Sequence, residues 1–224
     1  MIKRQHSQSS SHKSQEAGYT IIESLVAMIV VSVLMIAIAP VMAFSVATRV
    51  QAKRIEMATQ AAKTYIEALR SGALKFDPTN KNGFPAKSTT ANLEGSLAPA
   101  DITALYCIDI DKREVNQNKC ELDSSQDLVV QGYYFNNKPG ATDPAKTGYS
   151  LIVRVYRASS FAPGVGQLKT QKDLPAQQGI TTSGVGNLRA PLVEMRTEIG
   201  ASDRKGAYNS LCTRIDIPGA KGCE

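Results

Sequence analysis

Imidazole, the side chain that most often attacks by proxy or ligates, is scarce in this chain. Its two histidines, His6 and His12, both fall in the first dozen of 224 residues, and there is no Trp. If the N-terminus is removed, no imidazole remains. Ser-His and Cys-His nucleophile pairs then drop out, as does any His-containing metal site. The four cysteines, Cys107, Cys120, Cys212 and Cys223, contain no C-x-x-C spacing, which argues against zinc. Asp109-Ile110-Asp111 and Asp123-Ser124-Ser125-Gln126-Asp127 lack the Gly and distal Glu of an EF loop and read as solvated turn acids. Gly164-Val165-Gly166 and Gly184-Val185-Gly186 neither follow a strand nor open a helix with the Lys or third Gly of a phosphate loop. The sequence therefore predicts no catalytic residue, no cofactor and no metal.

One carboxylate is placed differently. Glu23 lies in Ala17-Gly18-Tyr19-Thr20-Ile21-Ile22-Glu23-Ser24, directly before Leu25–Ala47, a run of 23 residues without a charge. Such a run is long enough to cross a bilayer. An acid at mid-membrane costs about 2.5–3.5 kcal/mol, less near the interface, and calls for a partner. Cleavage between Gly18 and Tyr19 would supply one. The new α-amine of Tyr19 lies one helical turn before Glu23 on the same face, and can neutralise that acid or the Glu23 of a neighbouring subunit. A first-turn carboxylate also suits the helix dipole.

The elements around this junction follow from composition. Residues 1–18 are polar, rich in Ser and Gln, and carry Lys3, Arg4 and Lys13 against Glu16. A basic polar stretch before an apolar one is targeting grammar. A secretory signal peptide with cleavage near Ser45-Val46-Ala47, or a simple uncleaved anchor, fits that grammar too. After Ala47 the pattern turns amphipathic, with Ile55, Ala58, Ala62, Tyr65, Ile66 and Leu69 at helical spacing. Gly72 is the natural C-cap. The spacing predicts one helix from about Thr20 to Ser71, some 75 Å long at 1.5 Å per residue. Pro40 removes one backbone bond and should bend or loosen it locally.

The segment Gly18-Tyr19-Thr20-Ile21-Ile22-Glu23, followed by a long apolar helix, resembles the class III signal of type IV prepilins and pseudopilins. With Tyr19 as the first mature residue, Glu23 is fifth and Pro40 twenty-second, matching the family's spacing. Tyr19 stands in place of the usual Phe, Ser24 in place of a common Leu, and the leader is long. The resemblance implies that a prepilin peptidase cuts after Gly18 and N-methylates Tyr19, and that Thr20, Glu23 and Pro40 serve assembly. It implies an inner-membrane protein that crosses once, N-terminus cytoplasmic and C-terminal domain periplasmic, reaching the cell surface on assembly. Charge alone leaves orientation a near tie, since Arg49, Lys53 and Arg54 follow the run. The implied partners are membrane lipid, other pilin-like subunits and, indirectly, the assembly platform and its ATPases.

Beyond the helix, residues 73–100 read as a surface connection. Four strands are predicted at Ile102–Ile110, Leu128–Phe135, Tyr149–Arg157 and Leu192–Ile199, with alternation that suggests one buried and one wet face. The expected fold is α+β, the type IV pilin fold. A long N-terminal helix, its membrane part about 21–47 and its amphipathic part about 48–72, packs on an antiparallel sheet of about four strands. The divisions are a leader (1–18), the helix (19–72) and an extracytoplasmic β-rich domain (73–224). The stretch 158–190, with five glycines and two prolines, is expected to be a loop that contacts a partner or stays flexible. Four cysteines outside the cytoplasm suggest disulfides. Of three pairings, Cys107–Cys120 with Cys212–Cys223 closes the shortest loops; reduced thiols or a bridge crossing between the pairs are the alternatives.

Three functions are compatible with these features. One is a structural subunit that polymerises through its helix. The helix, roughly residues 17–72, looks most like that of cyanobacterial pseudopilins of hormogonium polysaccharide secretion, which serve gliding. Another is a minor pilin or type II secretion pseudopilin acting in protein export, adhesion or DNA uptake. The mature chain carries 23 basic and 19 acidic residues with no basic stripe, so nucleic acid finds no footprint. The third, an anchored enzyme, lacks a nucleophile motif and a cofactor loop.

Overall fold

A computed structural model describes residues 20–77, 83–89, 91, 93–109, 114–117, 120–124, 126–137, 140–174, 187–202 and 208. The chain divides into two compact units, Met1–Ser45 and Val46–Glu224. One helix, α1 (Ile21–Arg70), runs through the boundary and through Pro40. Its start and stop follow local chemistry. The Thr20 hydroxyl accepts from the Glu23 amide at 3.4 Å, an N-cap arrangement. At the other end Gly72 takes φ +72° and the Leu74 amide donates to the Ala68 carbonyl at 3.0 Å, a left-handed stop that a Cβ would strain.

In the first unit the apolar run is exposed along its length, from Ile22 (72%) to Phe44 (59%). This is a helix long and apolar enough to cross a membrane. Its hydroxyls are absorbed by the helix itself: Ser24 donates to the Ile21 carbonyl and Ser32 to that of Met28. In hydrocarbon no water would do so.

In the second unit, the strands are β1 (Ala86–Lys87), β2 (Tyr106–Asp109), β3 (Glu114–Gln117), β4 (Leu128–Asn136), β5 (Tyr149–Arg157) and β6 (Val193–Ile199), with a short helix α2 (Pro144–Thr147) between β4 and β5. The sheet order is β3-β2-β4-β5-β6, all antiparallel, while β1 pairs parallel with β4. The fold is α+β with a type IV pilin-like architecture. The sheet holds six strands where four were expected. Two of them, β1 and β3, are too short and too polar to announce themselves in sequence. The strand expected from Ile102 begins only at Tyr106, because the chain turns through Ala104 at φ +64°.

The core lies between α1 and the sheet. Ala58, Ala61, Ala62, Tyr65, Ile66 and Leu69 meet Leu128, Val130, Leu151, Val153 and Val155. Three alanines bring the helix backbone close to the strands, and Gly132 completes the fit. A Cβ there would lie 2.8 Å from the Tyr65 hydroxyl, which itself donates to the Gly83 carbonyl at 2.8 Å.

The second face of the sheet is not wet. Val129, Ile152, Arg154 and Tyr156 are all buried. Two stretches expected as surface loops cover them. The Gln131 amide donates to the Leu97 carbonyl at 3.2 Å, and the Tyr156 hydroxyl to that of Lys169 at 2.9 Å. Residues 158–174 and 187–190 are thus part of the packed domain; the rest of that stretch lies outside the described residues.

Candidate functional site

The candidate site is the entrance to α1. Gly18 and Tyr19, the expected cleavage and methylation positions, lie outside the described residues. Thr20 and Glu23 are described. Both the Glu23 and Ser24 amides reach the Thr20 carbonyl, at 3.0 and 3.2 Å, closing the first turn. Glu23 is exposed in that turn, where its charge faces the free N–H groups of the helix start. Thr20-x-x-Glu23 is also the spacing of a capping box. That signal is legible in the sequence and gives Thr20 a structural task that spacing to the cleavage point does not reveal. Pro40 sits inside the helix, seventeen residues on, and offers no N–H to the Ile36 carbonyl.

Of the four cysteines, the structure joins Cys107 and Cys120, with Cα atoms 5.6 Å apart. The bridge ties β2 to the segment after β3. Cys212 and Cys223 lie outside the described residues. Two of the turn acids depart from expectation, while Asp123 is exposed as expected. Asp127 is buried, its Oδ2 accepting from the Glu121 amide at 3.1 Å, and Asp109 is buried as well. They are packed residues of the sheet and its turn, where the sequence pattern suggested solvated ones. Ile110, Asp111 and Ser125 fall outside the described residues. Among the described residues no cluster of three metal-ligating side chains forms.

Arg154 is the largest polar group that sequence reasoning missed. It is 1% exposed in the middle of β5. Its Nε donates to Glu194 Oε2 at 2.8 Å and its Nη1 to the Ser96 carbonyl at 2.9 Å, with longer contacts to the carbonyls of Leu93 and Glu94. It pins the 3-10 turn Leu93–Gly95 onto the sheet, and Arg196 adds an ion pair with Glu94. Beside this clamp a cavity of about 650 Å³ opens between residues 94–100 and 160–173, with Phe161, Gln167 and Lys172 in its wall. Burial also pushes the Tyr156 hydroxyl well up from its ordinary value, so it stays a neutral donor to Lys169.

These features define a class: an N-terminal helix that is apolar and exposed up to Val46, with an acid in its first turn, and whose later turns pack on an antiparallel sheet. Residues 13–39 match the family model described as "Prokaryotic N-terminal methylation motif". No curated protein and no solved structure matches the chain. The chain is type IV pilin-like, with a class III prepilin signal that supports a pilin- or pseudopilin-type subunit. Such a signal implies processing by prepilin peptidase and assembly with other pilin subunits, and with the apolar helix it suggests membrane anchoring.

Proposed function

We propose that the chain is a structural pseudopilin. It is cut between Gly18 and Tyr19, methylated on the Tyr19 amine, and assembled through its helix into a short filament that supports polysaccharide secretion and gliding. The observation that carries this reading is the methylation motif over residues 13–39 set on a helix whose apolar residues from Ile21 to Val46 are all exposed. Exposed apolar surface of that extent needs lipid before assembly and neighbouring helices after it. In the filament, Glu23 pairs with the amine of an adjacent subunit and Pro40 gives the helix a point of adjustment. The N-terminus faces the cytoplasm and the sheet domain the periplasm. The choice of polysaccharide as cargo rests on the likeness of residues 17–72 to hormogonium secretion pseudopilins.

Mass spectrometry of the mature chain is expected to begin at N-methyl-Tyr19. A front end near Thr48 would make the apolar run an ordinary signal peptide and refute the reading. The Glu23→Ala chain should be cut normally yet fail to enter filaments; full activity of that variant would remove the acid–amine pair from the mechanism. Deleting the gene should abolish polysaccharide export and gliding. Unchanged export with lost pili, protein secretion or DNA uptake would move the chain to a minor pilin or a type II secretion pseudopilin.

A further inference from the structure

Arg154 and Arg157 lie three residues apart on β5, and both are buried, at 1% and 4% exposure. Their surroundings are opposite. Arg154 is surrounded by acceptors. Arg157 has none among the described residues: its Nε, Nη1 and Nη2 are all buried without a hydrogen-bond partner. Strand alternation sets Arg157 on the same face as Leu151, Val153 and Val155, across from Leu128, and so toward α1. There the buried stripe of α1 continues backward from Ala58 to Gln51, which is 1% exposed. Both amide atoms of Gln51 are unpartnered as well. Arg54 follows one turn later on the same helix face. Burial first, and then the charge of Arg54, push the Arg157 guanidinium down from its ordinary value.

Two cations beside an amide, with no carboxylate or carbonyl bonded to the Arg157 guanidinium among the described residues, are a site waiting for an anion, because a buried guanidinium without a partner is among the costliest groups a fold can carry. We propose that Arg157, with Gln51 and Arg54, forms a phosphate-type oxyanion site at the end of the sheet nearest residue 46 of α1. The planar fork of Arg157 suits the two unesterified oxygens of a phosphate, Arg54 adds a second positive charge beside them, and the Gln51 NH2 can donate to one of the same oxygens. The position favours phosphate over a carboxylate. Gln51 lies four residues past Ala47, about 6 Å at 1.5 Å per residue. The headgroup layer extends about 5–8 Å beyond the hydrocarbon on each side. Gln51 is therefore at the level of lipid phosphates when the apolar run spans a bilayer. The same chemistry accepts free phosphate.

The test uses the full chain in micelles of a maltoside detergent, which carries no phosphate. One arm adds inorganic phosphate at constant ionic strength. The other adds phosphatidylglycerol to the micelles and omits phosphate. The wild type should show a saturable rise in Tm, about 5–10 °C at a hundredfold excess over Kd. A rise with phosphate alone assigns a free oxyanion, and a rise with phosphatidylglycerol alone assigns a lipid headgroup. Arg157→Met should show neither rise. Without phosphate or anionic lipid it should unfold no lower than the wild type, since it leaves no charge unpaired. A wild type flat in both arms overturns the site. So does an Arg157→Met chain that rises equally, or one that cannot fold in the phosphate-free detergent, which would mean that Arg157 has a partner within the chain. The lipid arm rests on the membrane reading of residues 25–47 and the phosphate arm does not, so a wrong N-terminus at Tyr19 leaves the phosphate arm standing.

Discussion

Replacing Arg154 by Met tests the second layer of the domain. The guanidinium makes two short charge-assisted bonds, to Glu194 at 2.8 Å and to the Ser96 carbonyl at 2.9 Å. Each such bond contributes about 1.5–3 kcal/mol. Methionine retains much of the packing volume, so the loss is chiefly electrostatic. The carboxylate of Glu194, whose side chain is 13% exposed, would be left without its main partner. Breaking a buried pair from one side costs about 3–5 kcal/mol. For a domain of this size, 1 kcal/mol moves Tm by about 2–4 °C, so Arg154→Met should melt some 6–20 °C lower, followed by circular dichroism of the full chain in detergent. Arg154→Met combined with Glu194→Leu should recover part of the loss, because no orphan charge remains. Protection of the Ser96 and Leu97 amides from hydrogen exchange should fall in the single variant. A loss below about 1 kcal/mol, or a double variant no better than the single one, would refute the view that this ion pair fastens residues 93–97 to the sheet.

Tyr65→Phe removes the donor to the Gly83 carbonyl and should cost about 1–2 kcal/mol in chemical denaturation. Gly132→Ala should cost about 1–3 kcal/mol by overpacking, and less in the Tyr65→Phe background, since the clashing oxygen is then gone; strict additivity would contradict the contact. Reducing the Cys107–Cys120 bridge, with thirteen residues of sequence separation, should lower stability by about 3 kcal/mol, seen as a Tm shift on adding dithiothreitol that is smaller in Cys107→Ser/Cys120→Ser by that bridge's share. Burial raises the Tyr65, Tyr149 and Tyr156 hydroxyls above their ordinary 10.0. A raised folded value means stability is fully present below about pH 10 and is lost as pH climbs toward the folded values. Absorbance at 295 nm should therefore show these three of the eight tyrosines ionising only as the sheet unfolds; their titration near pH 10 with native circular dichroism would contradict their burial.

The parts of this structure that were legible in sequence are those written in local period. The α1 stripe from Ala58 to Leu69 and the alternation of Leu151, Val153 and Val155 are short-range patterns, and the structure puts both in the core. The helix limits were legible too, through Thr20 and Gly72. What could not be read depends on partners far away in the chain. Arg154 looked like a residue of a wet strand face because its acceptors are backbone carbonyls 57–61 positions distant. No periodicity records a carbonyl, and a connection rich in Pro, Asn and Thr gives no sign that it will supply them. Gln51 sits in an apolar stripe that ought to exclude it, and Asp127 is a local case, its partner the Glu121 amide six positions away in a turn whose acids read as solvated. Polar residues at buried positions are where pattern reasoning fails, and each failure poses the same question: which group satisfies this one? For Arg154 and Asp127 the fold supplies at least one partner. For Arg157 and Gln51 the described residues supply none, and there the search for a partner turns to the membrane and the solution around it.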